Sequence, residues 1–135
     1  FLSGWYGQHA SKKFGLSVIY LLRALVLLAL LLVTKTEYTM YVFAGAIGML
    51  WLATIPLTTG IVAQIFGVRY MATLFGVVFL SHQIGSFTGV WMGGWIHDRT
   101  GSYDLMWQAG IVLGLVAAVI HLPINEKPLV RQEIT

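Results

Sequence analysis

The chain has 135 residues, of which 58% are hydrophobic and 10% charged, with a formal net charge of +3. A soluble domain carries roughly a quarter charged residues, so this composition points to an integral membrane protein. So few Lys and Arg argue against a nucleic-acid surface, and the absence of cysteine excludes disulfides, thiolate metal ligation and thiol chemistry.

Taken in chain order, Phe1 to Tyr6 reads as the end of a helix that starts upstream. A membrane-spanning helix needs about 20 apolar residues, and four later segments meet that length: about 16–33, 40–66, 72–96 and 103–123. The connectors between them are short and polar: "HASKKFG" (His9–Gly15), "TKTEYT" (Thr34–Thr39), "GVRY" (Gly67–Tyr70) and "HDRTGSYD" (His97–Asp104). The expected fold is therefore all-α and integral to the membrane, with four full spans, the end of a fifth, and a tail over 124–135. Lys12, Lys13, Arg69, Lys127 and Arg131 gather on one side and only Lys35 and Arg99 on the other. Positive residues favour the cytoplasm, so the first side and the C-terminus are expected to be cytoplasmic.

Within the spans the polar residues are few, and each asks for a reason. Arg23 cannot shed its proton and needs water, a carboxylate or carbonyls. Helical side chains lean toward the N-terminus, here the cytoplasmic side, so a structural or lipid-facing role is expected, with an anion contact as the alternative. In the second long span Pro56 removes one donor and frees the Leu52 carbonyl, beside a face carrying Trp51, Thr54 and Thr58. These three are expected either to line a cavity or to satisfy a kink.

In the third, Ser81, Gly85, Gly89 and Gly93 recur every four residues, a stripe of small side chains suited to close helix packing. His82 and Ser86 share that face, while Leu80, Ile84, Phe87, Trp91 and Trp95 lie opposite, toward lipid; Gln83 falls near the boundary. His82 sits near the midplane, where an ionisable group is expected to be functional; the alternative is a neutral imidazole bonded to a neighbouring helix. Asp98, Arg99 and Asp104 belong to an outer turn in which Gly101 permits a tight bend and Ser102 can cap the last helix. His9, His97 and His121 show no metal-ligand spacing, and no metal or cofactor is expected.

Over Ala53–Trp107, the Pro-Leu-Thr helix centre, the Gly-x-Arg loop, the glycine ladder and the Asp-x-Thr-Gly-Ser-Tyr turn follow one another in a specific order. In this the chain resembles the C-terminal part of a major facilitator superfamily carrier, from the end of the eighth helix through the twelfth. Within that superfamily it is most similar to bacterial carriers of the monocarboxylate and oxalate–formate type. The family's cytoplasmic loop motif runs roughly Gly-x-x-x-Asp-Arg-x-Gly-Arg-Lys. Here "GWYGQHASKK" keeps Gly4, Lys12 and Lys13 but has Gln8, His9 and Ser11 at the acid, Arg and Gly positions.

The resemblance implies part of a six-helix bundle in a bacterial inner membrane, working with the missing N-terminal half of the carrier. Substrate would be held between the halves at mid-depth, against His82, Trp51, Thr54, Thr58 and Gln83. The ionisable groups inside the spans, Arg23 and His82, are both basic, whereas Glu37, Asp98, Asp104, Glu126 and Glu133 lie in connectors or tail. This favours a small organic anion as the transported solute, with protons as a candidate coupling ion, and no enzymatic activity. Two rivals stay open: a self-contained four-helix efflux protein, and a structural membrane subunit without transport of its own.

Overall fold

The computed structural model describes Gly4, Gly7 and residues 9–129, and among these there is helix and turn but no strand. Four helices follow in order: α1 (Lys12–Leu32), α2 (Glu37–Phe66), α3 (Met71–Thr100) and α4 (Asp104–His121), with a single 3-10 turn at Val68–Tyr70. All four are long and apolar enough to cross a membrane. The helix end expected at Phe1–Tyr6 and the last residues of the tail lie outside the described residues, apart from Gly4 and Gly7.

The ends of the helices fall where local chemistry stops or starts them. Thr36 and Thr39 form a reciprocal capping box at the start of α2, with Thr39 N–H donating to the Thr36 hydroxyl at 3.2 Å and Thr36 N–H to the Thr39 hydroxyl at 2.7 Å. Gly67 and Gly101 end α2 and α3 with φ of 77° and 70°, a region a side chain would strain. Ser102 accepts the Asp104 N–H at 3.1 Å, and Asp104 pairs with Lys35 at 3.2 Å, so the α1–α2 and α3–α4 connectors share one end of the molecule. That pair is half exposed and ties the connectors with little energy.

At the other end residues 122–129 fold back as a strap. Glu126 accepts from the Ser11 hydroxyl at 2.7 Å and the Lys13 N–H at 2.8 Å, supplying an anion to an α1 N-terminus that has no acid in its own first turn. Partial burial opposes ionisation of Glu126, but hydrogen bonds from Ser11, Lys13 and Lys12 outweigh it and hold the carboxyl below its ordinary range. The Gln64 side chain donates to the Glu126 carbonyl at 2.9 Å and accepts from Lys12 at 2.6 Å; Leu129 N–H reaches the Ile65 carbonyl at 2.9 Å. The expected tail is thus a docked strap as far as residue 129.

The helices meet unequally. Leu16 and Ile19 of α1 bury themselves against Leu57, Ile61 and Val62 of α2. On its other side α1 meets a stripe of small residues on α4. A β-carbon at Gly114 would lie 3.2 Å from Ala24 and 3.4 Å from the Tyr20 carbonyl, and one at Gly110 would lie 3.0 Å from Leu27. Ser17 donates to the Ala118 carbonyl at 2.7 Å in the same seam. This Gly110-x-x-x-Gly114-x-x-x-Ala118 run is where two backbones approach.

The glycine ladder of α3 is different. Nothing lies within 4 Å of a β-carbon built at Gly85 or Gly89, and at Gly93 only the Met106 side chain comes as near as 3.9 Å. The close helix contact expected on that stripe is therefore not made among the described residues. The division of α3 into a lipid side and a protein side is not visible either, since Leu80, Phe87 and Trp91 are exposed and so are Ser81, His82 and Gly85.

Gly114→Leu should therefore lower the stability of the folded chain by about 1–3 kcal/mol, the usual range for overpacking. Gly89→Leu should change it by less than about 0.5 kcal/mol, as at a site without neighbours. Thermal unfolding of both variants in detergent measures the difference; equal losses would contradict this packing.

Candidate functional site

Arg23 lies about 16 Å along α1 from Lys12, Thr54 about 18 Å along α2 from Phe66, and His82 about 16 Å along α3 from Met71. Those three helix ends share one end of the bundle, because Lys12 bonds Gln64 and Gly67–Tyr70 joins α2 to α3. The three side chains accordingly occupy one layer near the middle of the spans.

In that layer the Arg23 guanidinium turns toward α2. Its Nη2 donates to the Leu50 carbonyl at 3.0 Å and to the Thr54 hydroxyl at 2.7 Å. The charge also lies over the Tyr20 ring at 5.1 Å and the Trp51 ring at 5.9 Å. The sequence suggested a side chain drawn back toward the cytoplasmic end; the structure directs it sideways into the neighbouring helix. The reason is chemical, since ring faces, a hydroxyl and a carbonyl wait at that depth and lipid offers none of them. Thr54 in turn donates to the Leu50 carbonyl at 3.0 Å, so that one carbonyl serves two donors. The Arg23 Nε remains buried without a hydrogen-bond partner among the described residues, and no carboxylate there contacts the guanidinium. The cation keeps donor capacity that the fold does not use.

Trp51 links this charge to α3. Its ring meets His82 edge to face at a centroid distance of 6.0 Å, and Phe79 flanks the imidazole at 6.3 Å. His82 makes no hydrogen bond among the described residues and is exposed, as is Trp51 at 53%. Arg23, Trp51, Thr54 and His82 are thus brought together, with the indole close to both basic groups. On the far side of Arg23, Tyr20 stacks on His121 of α4 at 5.0 Å, and the His121 Nδ1 lies 2.6 Å from the Ala117 carbonyl.

Gln83 and Thr58 are not part of this cluster. Gln83 is exposed one residue beyond His82, and Thr58 turns inward to donate to the Thr54 carbonyl at 3.0 Å. The threonines bond the carbonyls of Leu50, Thr54 and Ile55, none of which is the Leu52 carbonyl freed by Pro56. Tyr20 and Leu50 were not singled out by the sequence. A ring three residues before a half-buried arginine, on the same helix face, is the signal that could have found Tyr20. Among the described residues no three His, Asp or Glu side chains converge as metal ligands. No family model, curated protein or solved structure matches the chain.

Thr54→Val should destabilise the chain by about 1–3 kcal/mol, because it strips a charged donor of its hydroxyl acceptor. In an Arg23→Met background the same substitution should cost much less, as the donor is gone. A double-mutant cycle of unfolding in detergent reads the difference; a Thr54→Val cost independent of residue 23 would contradict the bond.

Proposed function

We propose that the chain forms part of a secondary transporter that moves small organic anions, monocarboxylate-like in size, across the membrane by alternating access. The observation that carries this reading is the mid-depth layer of Arg23, Trp51, Thr54 and His82, with two basic side chains near one indole and, among the described residues, no acid beside them. A carboxylate entering there meets an imidazole open on the surface of α3, with the positive field of the Arg23 guanidinium beside it. The surrounding apolar spans strengthen such an interaction relative to water. The resemblance of Ala53–Trp107 to major facilitator carriers supports the same reading, with this chain as part of the C-terminal bundle.

In this mechanism Arg23 stays on α2 and provides a fixed positive field, while His82 is the group that meets substrate. Trp51 bounds the site and its face receives the apolar part of the anion. Alternating access requires a second bundle that rocks against this one, and the exposed face of α3 bearing Gly85 and Gly89 is the surface available to it. The working unit is then the carrier in an inner membrane, with the strap and Lys12 on the cytoplasmic side.

The test is uptake of labelled monocarboxylates by membrane vesicles that hold the gene product carrying this chain. His82→Gln keeps hydrogen-bonding capacity but cannot titrate, so it should preserve expression while lowering uptake or flattening its profile from about pH 5.5 to 8, around the usual His pKa. Normal rate, affinity and pH profile in His82→Gln would contradict the role given to the imidazole. Saturable uptake of cations instead of anions would contradict the substrate class.

A further inference from the structure

An open cleft of about 340 Å³, with polar and apolar lining, lies at the strap end, walled by Lys13 of α1, Gln64 of α2 and residues 124–128. It lies where α1 begins and α2 ends, outside the apolar middle of both helices, so a bilayer crossed by these helices would set it near the lipid headgroups. Lys13 and Lys127 are among its lining residues, and neither ammonium has an ion pair among the described residues. Glu126, the one acid in its wall, is turned to the Ser11 hydroxyl and the Lys13 backbone N–H. Asn125 accepts the Lys127 N–H with Oδ1 at 3.1 Å, which leaves its amide NH₂ free to donate. The wall thus carries two lysines without ion pairs and one amide donor, on backbone held by the bonds that dock the strap.

Apolar groups adjoin this polar wall. The Lys13 ammonium lies 5.3 Å from the Phe14 ring centroid, and Phe14 and Leu129 are 51% and 62% exposed. A ligand with an anionic head and apolar chains satisfies both parts, whereas a free phosphate satisfies one. We propose that this cavity binds the phosphodiester head of an anionic phospholipid, with the acyl chains running down the outside of α1. The site is separate from the mid-depth layer and does not depend on the transport reading. A bound lipid would seat the strap against the membrane and clamp the α1 and α2 ends that Glu126 and Gln64 join.

The test is native mass spectrometry of the full chain in detergent, titrated with dioleoyl phosphatidylglycerol or dioleoyl phosphatidylcholine. One phosphatidylglycerol should be retained in preference to phosphatidylcholine. Lys13→Gln or Lys127→Gln alone should weaken it about fivefold and the two together roughly thirtyfold, with circular dichroism unchanged. Lys13→Arg with Lys127→Arg should restore binding, and Arg69→Gln, which removes a charge at the same end but outside the cavity, should change it less than twofold. Equal retention of the two lipids, or equal losses in Arg69→Gln and Lys127→Gln, would overturn the site. Displacement of the lipid by inorganic phosphate at equal concentration would also overturn it, making the cavity a soluble-anion site.

Discussion

A permanent positive charge in the middle of an apolar bundle is the constraint around which the rest of this structure is arranged. Among the described residues Arg23 has no carboxylate near it, and an unpaired guanidinium at that depth would cost several kcal/mol. The bundle answers with partial charges: one backbone carbonyl, one hydroxyl and the faces of Tyr20 and Trp51. Each partner comes at a fixed geometry, so the charge also sets how α1 and α2 lie together. Trp51 is held beside the guanidinium, and the same indole makes an edge-to-face contact with His82. An arrangement that solves a solvation problem in α1 thereby shapes the surface that α3 presents.

Packing divides the molecule into a tight part and an open part. Helix α1 is held on one side by Leu57, Ile61 and Val62 and on the other by the small residues of α4, with its N-terminus closed by Glu126. Helix α3 is held by less: Leu74 against the α1–α2 core, Met106 near Gly93, a buried Ile96 and the His82 ring against Trp51. An apolar helix can lie unpacked in lipid at little cost, because hydrocarbon solvates Leu and Phe as well as protein does. Its polar groups, His82 and Gln83, do not share that indifference, and they give the open side its chemical interest.

The four spans were legible because length and composition alone decide whether a segment can cross a bilayer. The expected span at 103–123 agrees with α4 at Asp104–His121 to within two residues, and the glycine breaks at Gly67 and Gly101 sit at helix ends as turn chemistry requires. Packing partners were less legible. Two glycine stripes compete in this sequence, and the longer one in α3 drew attention while Gly110 and Gly114 carried the contact. Spacing identifies a face on which backbones can approach, but not whether a second helix arrives there. Arg23 and Glu126 show the same limit. Their partners are 27 and 115 residues away in sequence, and only the folded arrangement brings Leu50 to one and Ser11 to the other.

The account rests most directly on the bond between Arg23 and the Leu50 carbonyl. Magic-angle-spinning NMR of the chain in lipid, with ¹⁵N in the arginine side chains and ¹³C in the leucine carbonyls, measures it by dipolar dephasing. A donor–acceptor separation of 3.0 Å predicts strong dephasing between Arg23 Nη and the Leu50 carbonyl, abolished in Arg23→Met. No dephasing at that pair, with the Arg23 nitrogens instead in contact with water or lipid phosphate, would mean that the charge has left α2 and that the mid-depth layer does not exist.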